Sequence, residues 1–443
     1  MSEASKSQNC RDLLAFIDSC PTPYHAVAES SRRLRAAGFS ELDERDAWQI
    51  EPGAKHYLVK GGGTLVAFVA GQSSPEEAGF VLLGAHTDSP NLRVKPLADI
   101  TASGHRQVAV EVYGGVLLST WLDRDLSLAG RVTAHDGATH LLRIERPLLR
   151  IPNLAIHLNR DVNSAGLLLN AQNHLMPLSA LNGKSDDTKL SVVLADALAA
   201  GGAKVSPDQI AGFDLCLYDT QAAGVGGVHD ELIFAPRLDN LASCHAALTA
   251  LTASGAAGRH TRMVALYDHE EVGSQSAAGA RSRFLGSVLD RLSHAPRGAT
   301  HEASSRARAR SLLVSADMAH ALHPNYAEKH DKQNAPRLGK GPVIKVNANQ
   351  SYATDGPSEA WFAGLCQATD VHTQRFVSRN DMPCGSTIGP ISAAMLGLRT
   401  LDIGNPMHSM HSCREGAAVA DVDPMIAAMT TLLRAENIPA PRD

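Results

Sequence analysis

Hydrophobic positions along the chain follow two periods. "CRDLLAFIDSC" sets Leu13, Leu14 and Ile17 on one helical face. "PTPYHAVAESSRRLRAAGF" opens with prolines and stops at Gly38, the punctuation of a second helix. "HYLVKGGGTLVAFVAG" predicts two short strands around a glycine turn. Three runs, "FVLLGAH" (80–86), "TRMVALYDHE" (261–270) and "RSLLVSADMAH" (310–320), are continuously apolar until their ends, as strands covered on both faces are. Between them "DNLASCHAALTALTASG" spaces Leu241, Cys244, Leu248 and Leu251 helically, with Gly255 as its stop. Buried strands alternating with amphipathic helices predict an α/β fold, a mostly parallel sheet sandwiched by helices.

The middle of the chain has a different texture. From about 95 to 232, "RQVAVEVYGGVLLST", "AGRVTAHDG" and "ATHLLRIERPLLRI" alternate like strands, interrupted by one helical piece, "DDTKLSVVLADALAAGG". This predicts a catalytic domain in two parts, 1–94 and 233–443, with a β-rich insertion, 95–232, between them. "EASSRARARS" (302–311) reads as a mobile loop. The glycines of "AGVGGVHD" (223–230) are too loosely spaced for a phosphate loop and read as a turn.

Composition narrows the class. The 443 residues are 44% hydrophobic and 20% charged, an ordinary globular balance. A net charge of -5 with mixed signs argues against nucleic acid or a membrane surface as a partner. No run approaches the ~20 apolar residues of a membrane span, and "MSEASKSQNC" has no signal-peptide core. The 7 cysteines are scattered, as free thiols of a reducing compartment are, so a cytoplasmic location is expected.

The chemistry gathers where the apolar runs end. "FVLLGAH" delivers His86, with Asp88 just beyond. "RMVALYDHE" delivers Glu270 and Glu271, and "SLLVSAD" delivers Asp317. "LRTLDIG" leads to "NPMHSMHSCRE" with His408 and His411, and Asp239 opens a helix in "PRLDN". In an open α/β sheet, sites form beyond the carboxyl ends of the strands. Carboxylates mixed with imidazoles suit zinc or a similar ion. The zinc helix His-Glu-x-x-His is not present, because Gly273 stands where its second histidine belongs. On a strand end Glu270 and Glu271 would face opposite ways, so one is expected to hold metal and the other to act as general base. Two divalent ions give +4 against -3 from Asp239, Glu271 and Asp317, which leaves charge for a hydroxide beside Glu270.

The motifs resemble those of the aspartyl aminopeptidases, dinuclear zinc metallo-aminopeptidases. The resemblance runs through "PTPYHAV", "GAHTDSPNLRVKP", "PNLAIHLNR", "PRLDN", "DHEEVGS", "SADMAHALHPNYAEKHD", "GPVIKVNANQSYATDG", "SRNDMPCGSTIGP" and "MHSCRE". It implies two zinc ions per subunit, with Asp239 bridging, His86 and Asp317 on one ion, and Glu271 and His411 on the other. Glu270 resembles the general base and Asp88 the residue that orients His86. His320, Lys345 and Tyr352 resemble substrate contacts, with Glu270 and Asp317 also lining the substrate. His157 resembles a histidine reaching a neighbouring subunit's site within a twelve-subunit particle. "MHSMHS" offers two registers, and the family pattern selects His411, leaving His408 without a role.

The expected activity is removal of N-terminal Asp or Glu from peptides, with Lys345 pairing the substrate's side-chain carboxylate. Alternatives are the same chemistry on neutral N-terminal residues, or a related dinuclear deacylase or carboxypeptidase. A non-enzymatic assembly protein would be expected to lack a ligand or the base, and neither is missing. Cys384, with no base spaced for it, reads as structural.

Overall fold

Alternation of fully buried side chains sets the main layer. On the strand Phe80–His86, Val81, Leu83 and Ala85 enter one core and Phe80 and Leu82 the other. On Thr261–Tyr267, Val264 and Leu266 oppose Met263, Ala265 and Tyr267 in the same way. Helices Gln8–Ser19, Leu238–Ala253 and Val422–Arg434 close the first core, and Phe284–His294 and Ile388–Leu396 close the second. The computed structural model describes residues 7–181, 188–294 and 300–438; the start of the expected helical piece at 186 lies outside them.

Nine strands form the main sheet, and four of them run parallel at its centre: Thr261–Tyr267, Phe80–His86, Leu312–Ala316 and Arg399–Gly404. Outside these the sheet is mixed. The hairpin Lys55–Lys60 and Thr64–Val69 joins antiparallel to Thr261–Tyr267, and Val343–Lys345 joins antiparallel to Arg399–Gly404. The expectation of a mostly parallel sheet therefore holds, with Ser40–Glu41 and Gln374–Phe376 also pairing parallel to their neighbours, and the antiparallel exceptions lie outside the centre. The reason is local: Gly61 and Gly62, both at positive φ, reverse the chain directly, so no crossover helix is needed.

A second, six-stranded sheet is antiparallel throughout and runs from Asn91–Ala102 to Ile210–Asp219. It has its own core, including Leu92, Leu126, Leu128, Val132, Leu215 and Leu217, capped by Leu190, Leu194 and Leu198 of the helix Leu190–Ala200. Its first strand begins ahead of residue 95. Strands Gly224–Gly226 and Leu232–Ala235 instead enter a five-stranded sheet with Glu415–Ala418, Pro406–His408 and Ala319–His320. The glycines at 223–230 thus form a short strand as well as a turn.

Two further expectations are corrected. Residues 302–311 are not a loop but lie mostly in the helix His301–Ala309. Ala303 and Ala307, four apart, are buried, Arg306 pairs with Glu302 and Glu76, and Arg308 pairs with Asp290. Alanine and arginine are strong helix formers, and the repetitive composition hid that propensity. His157 sits not on a strand but in a single 3-10 turn, Ile156–Leu158. Leu154, Ile156 and Leu158 are all exposed, so no buried face holds the segment extended. Among the described residues, no helix is long and apolar enough to cross a membrane.

Leu266, fully buried on a strand paired on both sides, tests the packing of the central layer. Leu266→Ala removes core volume that close neighbours cannot refill. It is expected to lower unfolding free energy by about 2–5 kcal/mol, read from the chemical denaturation midpoint.

Candidate metal centre

The carboxyl ends of the parallel strands place the chemistry on one edge. His86 is the last residue of its strand and is 1% exposed. Tyr267 ends the neighbouring strand, and the chain then turns through His269 at φ 65 into the 3-10 turn Glu270–Val272. Asp317 follows Leu312–Ala316 directly. Asp239 lies in the first turn of Leu238–Ala253, where its backbone is not yet helical and the Asp239–Asn240 peptide is cis. His411, at φ 68, comes from the turn before Glu415–Ala418.

Asp239 is the hub. Its Oδ1 lies 3.3 Å from His86 Nε2, and its Oδ2 lies 3.3 Å from His411 Nε2. Asp317 Oδ1 is 3.5 Å from His86 Nε2, and Glu271 Oε2 is 3.4 Å from His411 Nε2. His86, Asp239 and Asp317 form one compact donor group, and Asp239, Glu271 and His411 form another. Glu270 joins a third group with His86 and Glu271. The two glutamates therefore converge, contrary to the expectation of opposite faces. They stand on a helical turn, where neighbouring side chains are not thrown to opposite sides as in a pleated strand.

The donor set fits zinc. His86 Nδ1 donates to the carbonyl of Asp88 at 2.9 Å, and His411 Nδ1 donates to that of Gly115 at 3.0 Å. A cation that displaces the second ring proton would thus find each Nε2 lone pair turned toward the carboxylates. Buried oxygens of Asp239 and Glu271 have no hydrogen-bond partner among the described residues. Such atoms are costly unless a cation or donor meets them. Imidazole and carboxylate in two such groups are zinc ligands by type.

Asp88 works behind the ligands. One of its oxygens accepts from the Glu270 N–H and lies 3.5 Å from His86 Nδ1, while the other accepts from the Glu271 N–H. A fully buried carboxylate thereby fixes the whole glutamate turn. Lys345 is 2% exposed and donates to Asp317 Oδ2 at 3.3 Å and to the Met318 carbonyl at 3.0 Å, with its ammonium over the Tyr352 ring. It does not snorkel to solvent. Tyr352 and His320 both pack on Phe376. Next to them opens a cleft of about 280 Å³ lined by His320, Phe376, Met382 and His408. His408 Nε2 donates to the Leu322 carbonyl at 3.1 Å. His157 is exposed, and among the described residues no hydrogen bond or ion pair ties it to this cluster.

Glu415 and Tyr113 escaped the sequence reading. Glu415 accepts the N–H of Asp239 and the N–H of His411 with its two oxygens, joining segments far apart in sequence. Its place in "MHSCRE" beside His411 was the available signal. Tyr113, in an ordinary alternating run, carried none.

Crowding shapes the electrostatics. Burial, reinforced by neighbouring carboxylates, pushes Glu270 up to about 8 and Glu271 up to about 7. Burial also raises Glu415 well above the usual carboxylate range. Burial opposes charge on His411, but Asp239 and Glu271 outweigh it and hold its pKa up at about 11. Negative charge in this pocket thus lacks enough positive partners of its own.

Comparison with known proteins gives consistent neighbours. The family described as aminopeptidase I zinc metalloprotease (M18) matches residues 16–432. A probable M18 family aminopeptidase 2 of Streptomyces avermitilis is 49% identical over 413 residues, 93% of this chain and 94% of that protein. One from Pseudomonas aeruginosa is 47% identical, covering 96% and 98%. Among solved structures, Ape4 in complex with Nbr1 superposes with a TM-score of 0.93 at 42% identity, covering 97% of this chain and 86% of that one. The S. cerevisiae mApe1 dodecamer superposes at 0.83 with 28% identity, covering 97% of each chain.

The raised carboxylates and His411 fix a pH dependence. Without a cation, the folded chain binds more protons than the unfolded one between about pH 4.5 and 8 at the glutamates, and between about 6.5 and 11 at His411. Stability of chelated protein should therefore fall as pH rises through these windows. Zinc displaces those protons, so its stabilisation should grow from pH 6 to pH 8.5. Thermal midpoints with and without zinc, taken across that range, check the sign.

Proposed function

The chain belongs to the aminopeptidase I zinc metalloprotease (M18) family and is a metallo-aminopeptidase, and on that premise we propose that it releases acidic residues from peptide N-termini at a two-zinc site. The observation that carries the two-zinc reading is the Asp239 carboxylate set between two imidazoles, one oxygen toward each. His86 and Asp317 would complete one ion's protein ligands, and Glu271 and His411 the other's. Zinc, when bound, supplies Lewis-acid polarisation of the scissile carbonyl and of water.

The chain's own residues do the rest. Glu270, raised toward neutrality by burial, accepts a proton from the attacking water and returns it to the departing amine. Asp88 holds Glu270 and Glu271 through their backbone N–H groups, so base and ligand keep their separation. Lys345 has three N–H donors, of which Asp317 and Met318 take two. On this reading the third meets the side-chain carboxylate of an N-terminal Asp or Glu. His320 and Phe376 line the adjoining cleft, and Tyr352 packs on Phe376 beneath the Lys345 ammonium. A neutral N-terminal residue would leave that lysine donor unpaired, the basis of the acidic preference.

Residues 95–232 act in assembly on this reading. Leu154, Ile156, Leu158 and Leu168 are exposed, a concentration of apolar surface that a partner subunit would cover. The mApe1 relative is a dodecamer, and a similar particle would carry His157 into a neighbour's site as a donor to the tetrahedral oxyanion.

Glu270→Gln is expected to retain zinc and lower kcat by ~10²–10⁴-fold, whereas Glu271→Gln is expected to lose zinc. Metal analysis beside turnover separates them, and the reverse outcome would refute the division of roles. Against N-terminal Asp, Glu, Leu and Ala substrates, the parent enzyme should favour Asp and Glu. Lys345→Met should erode the Asp-over-Leu ratio of kcat/KM; an unchanged ratio removes Lys345 from recognition. His157→Ala should keep zinc and assembly while losing most turnover, a donor of this kind being worth ~2.7–4 kcal/mol. Co-assembly with Glu270→Gln should restore activity, and no rescue in verified mixed particles defeats the shared site.

A further inference from the structure

The strand His105–Tyr113 leaves the six-stranded sheet at the metal cluster, and the residues that follow touch both of its halves. Tyr113 is 7% exposed and donates its phenol to Asp88 Oδ2 at 2.6 Å. That oxygen also accepts the Glu271 N–H. The Arg93 guanidinium covers the Tyr113 ring at 3.7 Å from its centroid, which fixes the ring's orientation. Two residues on, the Gly115 carbonyl accepts from His411 Nδ1, and the Leu117 N–H donates to the His411 carbonyl at 3.0 Å.

The two glycines have a steric reason. A Cβ on Gly114, at φ 73, would lie 3.1 Å from Glu271 Cβ. One on Gly115 would lie 3.2 Å from His411 Nδ1. Side chains there would press on the glutamate or the imidazole. Three consecutive residues, the last of a strand in a different sheet and the two that follow it, thus bear on Asp88, Glu271 and His411.

We propose that Tyr113–Gly115 is a positioning strap through which the six-stranded sheet sets how tightly the cluster holds zinc. This rests on the ligand assignment above. Gly115 keeps the Nε2 lone pair of His411 directed at Asp239 and Glu271, because a carbonyl can only accept and so places the ring's proton on Nδ1. Tyr113 anchors Asp88, whose other bonds fix the Glu270–Glu271 turn. Partners of this kind behind metal ligands typically change affinity 10–100-fold.

The test compares zinc loss to a competing chelator from the assembled protein and from Tyr113→Phe, Gly115→Ala and Gly212→Ala. Gly212 lies on the same sheet with open space around it, so Gly212→Ala should match the parent. Tyr113→Phe and Gly115→Ala should each lose zinc about 10–100-fold more readily. Tyr113→Phe keeps the ring under Arg93 but removes a buried hydrogen bond to Asp88, so its zinc-free thermal midpoint should fall modestly. If Gly115→Ala does not fold, Tyr113→Phe decides alone. Parental zinc retention in Tyr113→Phe would overturn the strap, as would equal zinc loss in Leu266→Ala, which weakens the core without touching a ligand, since that marks a merely structural effect. His86→Ala in the same assay separates the two readings. Should it keep zinc, the ligand assignment fails; should it lose zinc while Tyr113→Phe does not, only the strap fails.

Discussion

The confinement of like charge around Asp239 governs this structure. Asp88, Asp239, Glu270, Glu271, Asp317 and Glu415 lie close together with little access to water, and His86, His411 and Lys345 oppose them from within. An unpaired buried carboxylate is costly. Geometry therefore gives the oxygens of Asp88 and Glu415 backbone N–H partners and gathers those of Asp239, Glu270, Glu271 and Asp317 with the two imidazoles in compact donor groups. The sheet edge, the tight turn at His269 and the non-helical start at Asp239 all serve to bring these groups together despite their repulsion.

Much of this was legible in the sequence, and the physical reason is plain. A continuous apolar run must be covered on both faces, so its end marks where a polar residue first becomes admissible. That rule located His86, the glutamate pair and Asp317. It failed where local backbone departs from its neighbour. Glu270 and Glu271 follow a strand but stand on a 3-10 turn, so a rule for pleated chains assigned them the wrong relative direction. His157 follows an alternating pattern, yet with its apolar neighbours exposed nothing keeps the segment extended. In 302–311 composition concealed a helix, because buried Ala303 and Ala307 weigh little on any hydrophobic scale.

Supporting contacts were the least legible. Tyr113, Gly115 and Glu415 act on the ligands through backbone groups or a single hydroxyl, and they arrive from sheets whose own patterns are satisfied without reference to the cluster. Only the three-dimensional meeting of the sheets reveals them. The mixed character of the main sheet has the same origin: strand direction depends on whether a connection is a tight turn or a crossover, and periodicity does not encode direction.

The position of Phe80–His86 also bears on biogenesis. This strand is apolar up to His86 and central, yet both of its neighbours, Thr261–Tyr267 and Leu312–Ala316, come far later in the chain. As the polypeptide leaves the ribosome, the segment emerges with two unpaired edges and must wait while the intervening six-stranded sheet is made. Such non-local pairing is slow and exposes a template for intermolecular association. The nascent chain therefore keeps both edges of this strand unpaired until those later segments arrive. Because Asp239, Glu271, Asp317 and His411 arrive later still, its hydrolytic centre stays dormant until nearly the whole main sheet has closed around that first strand.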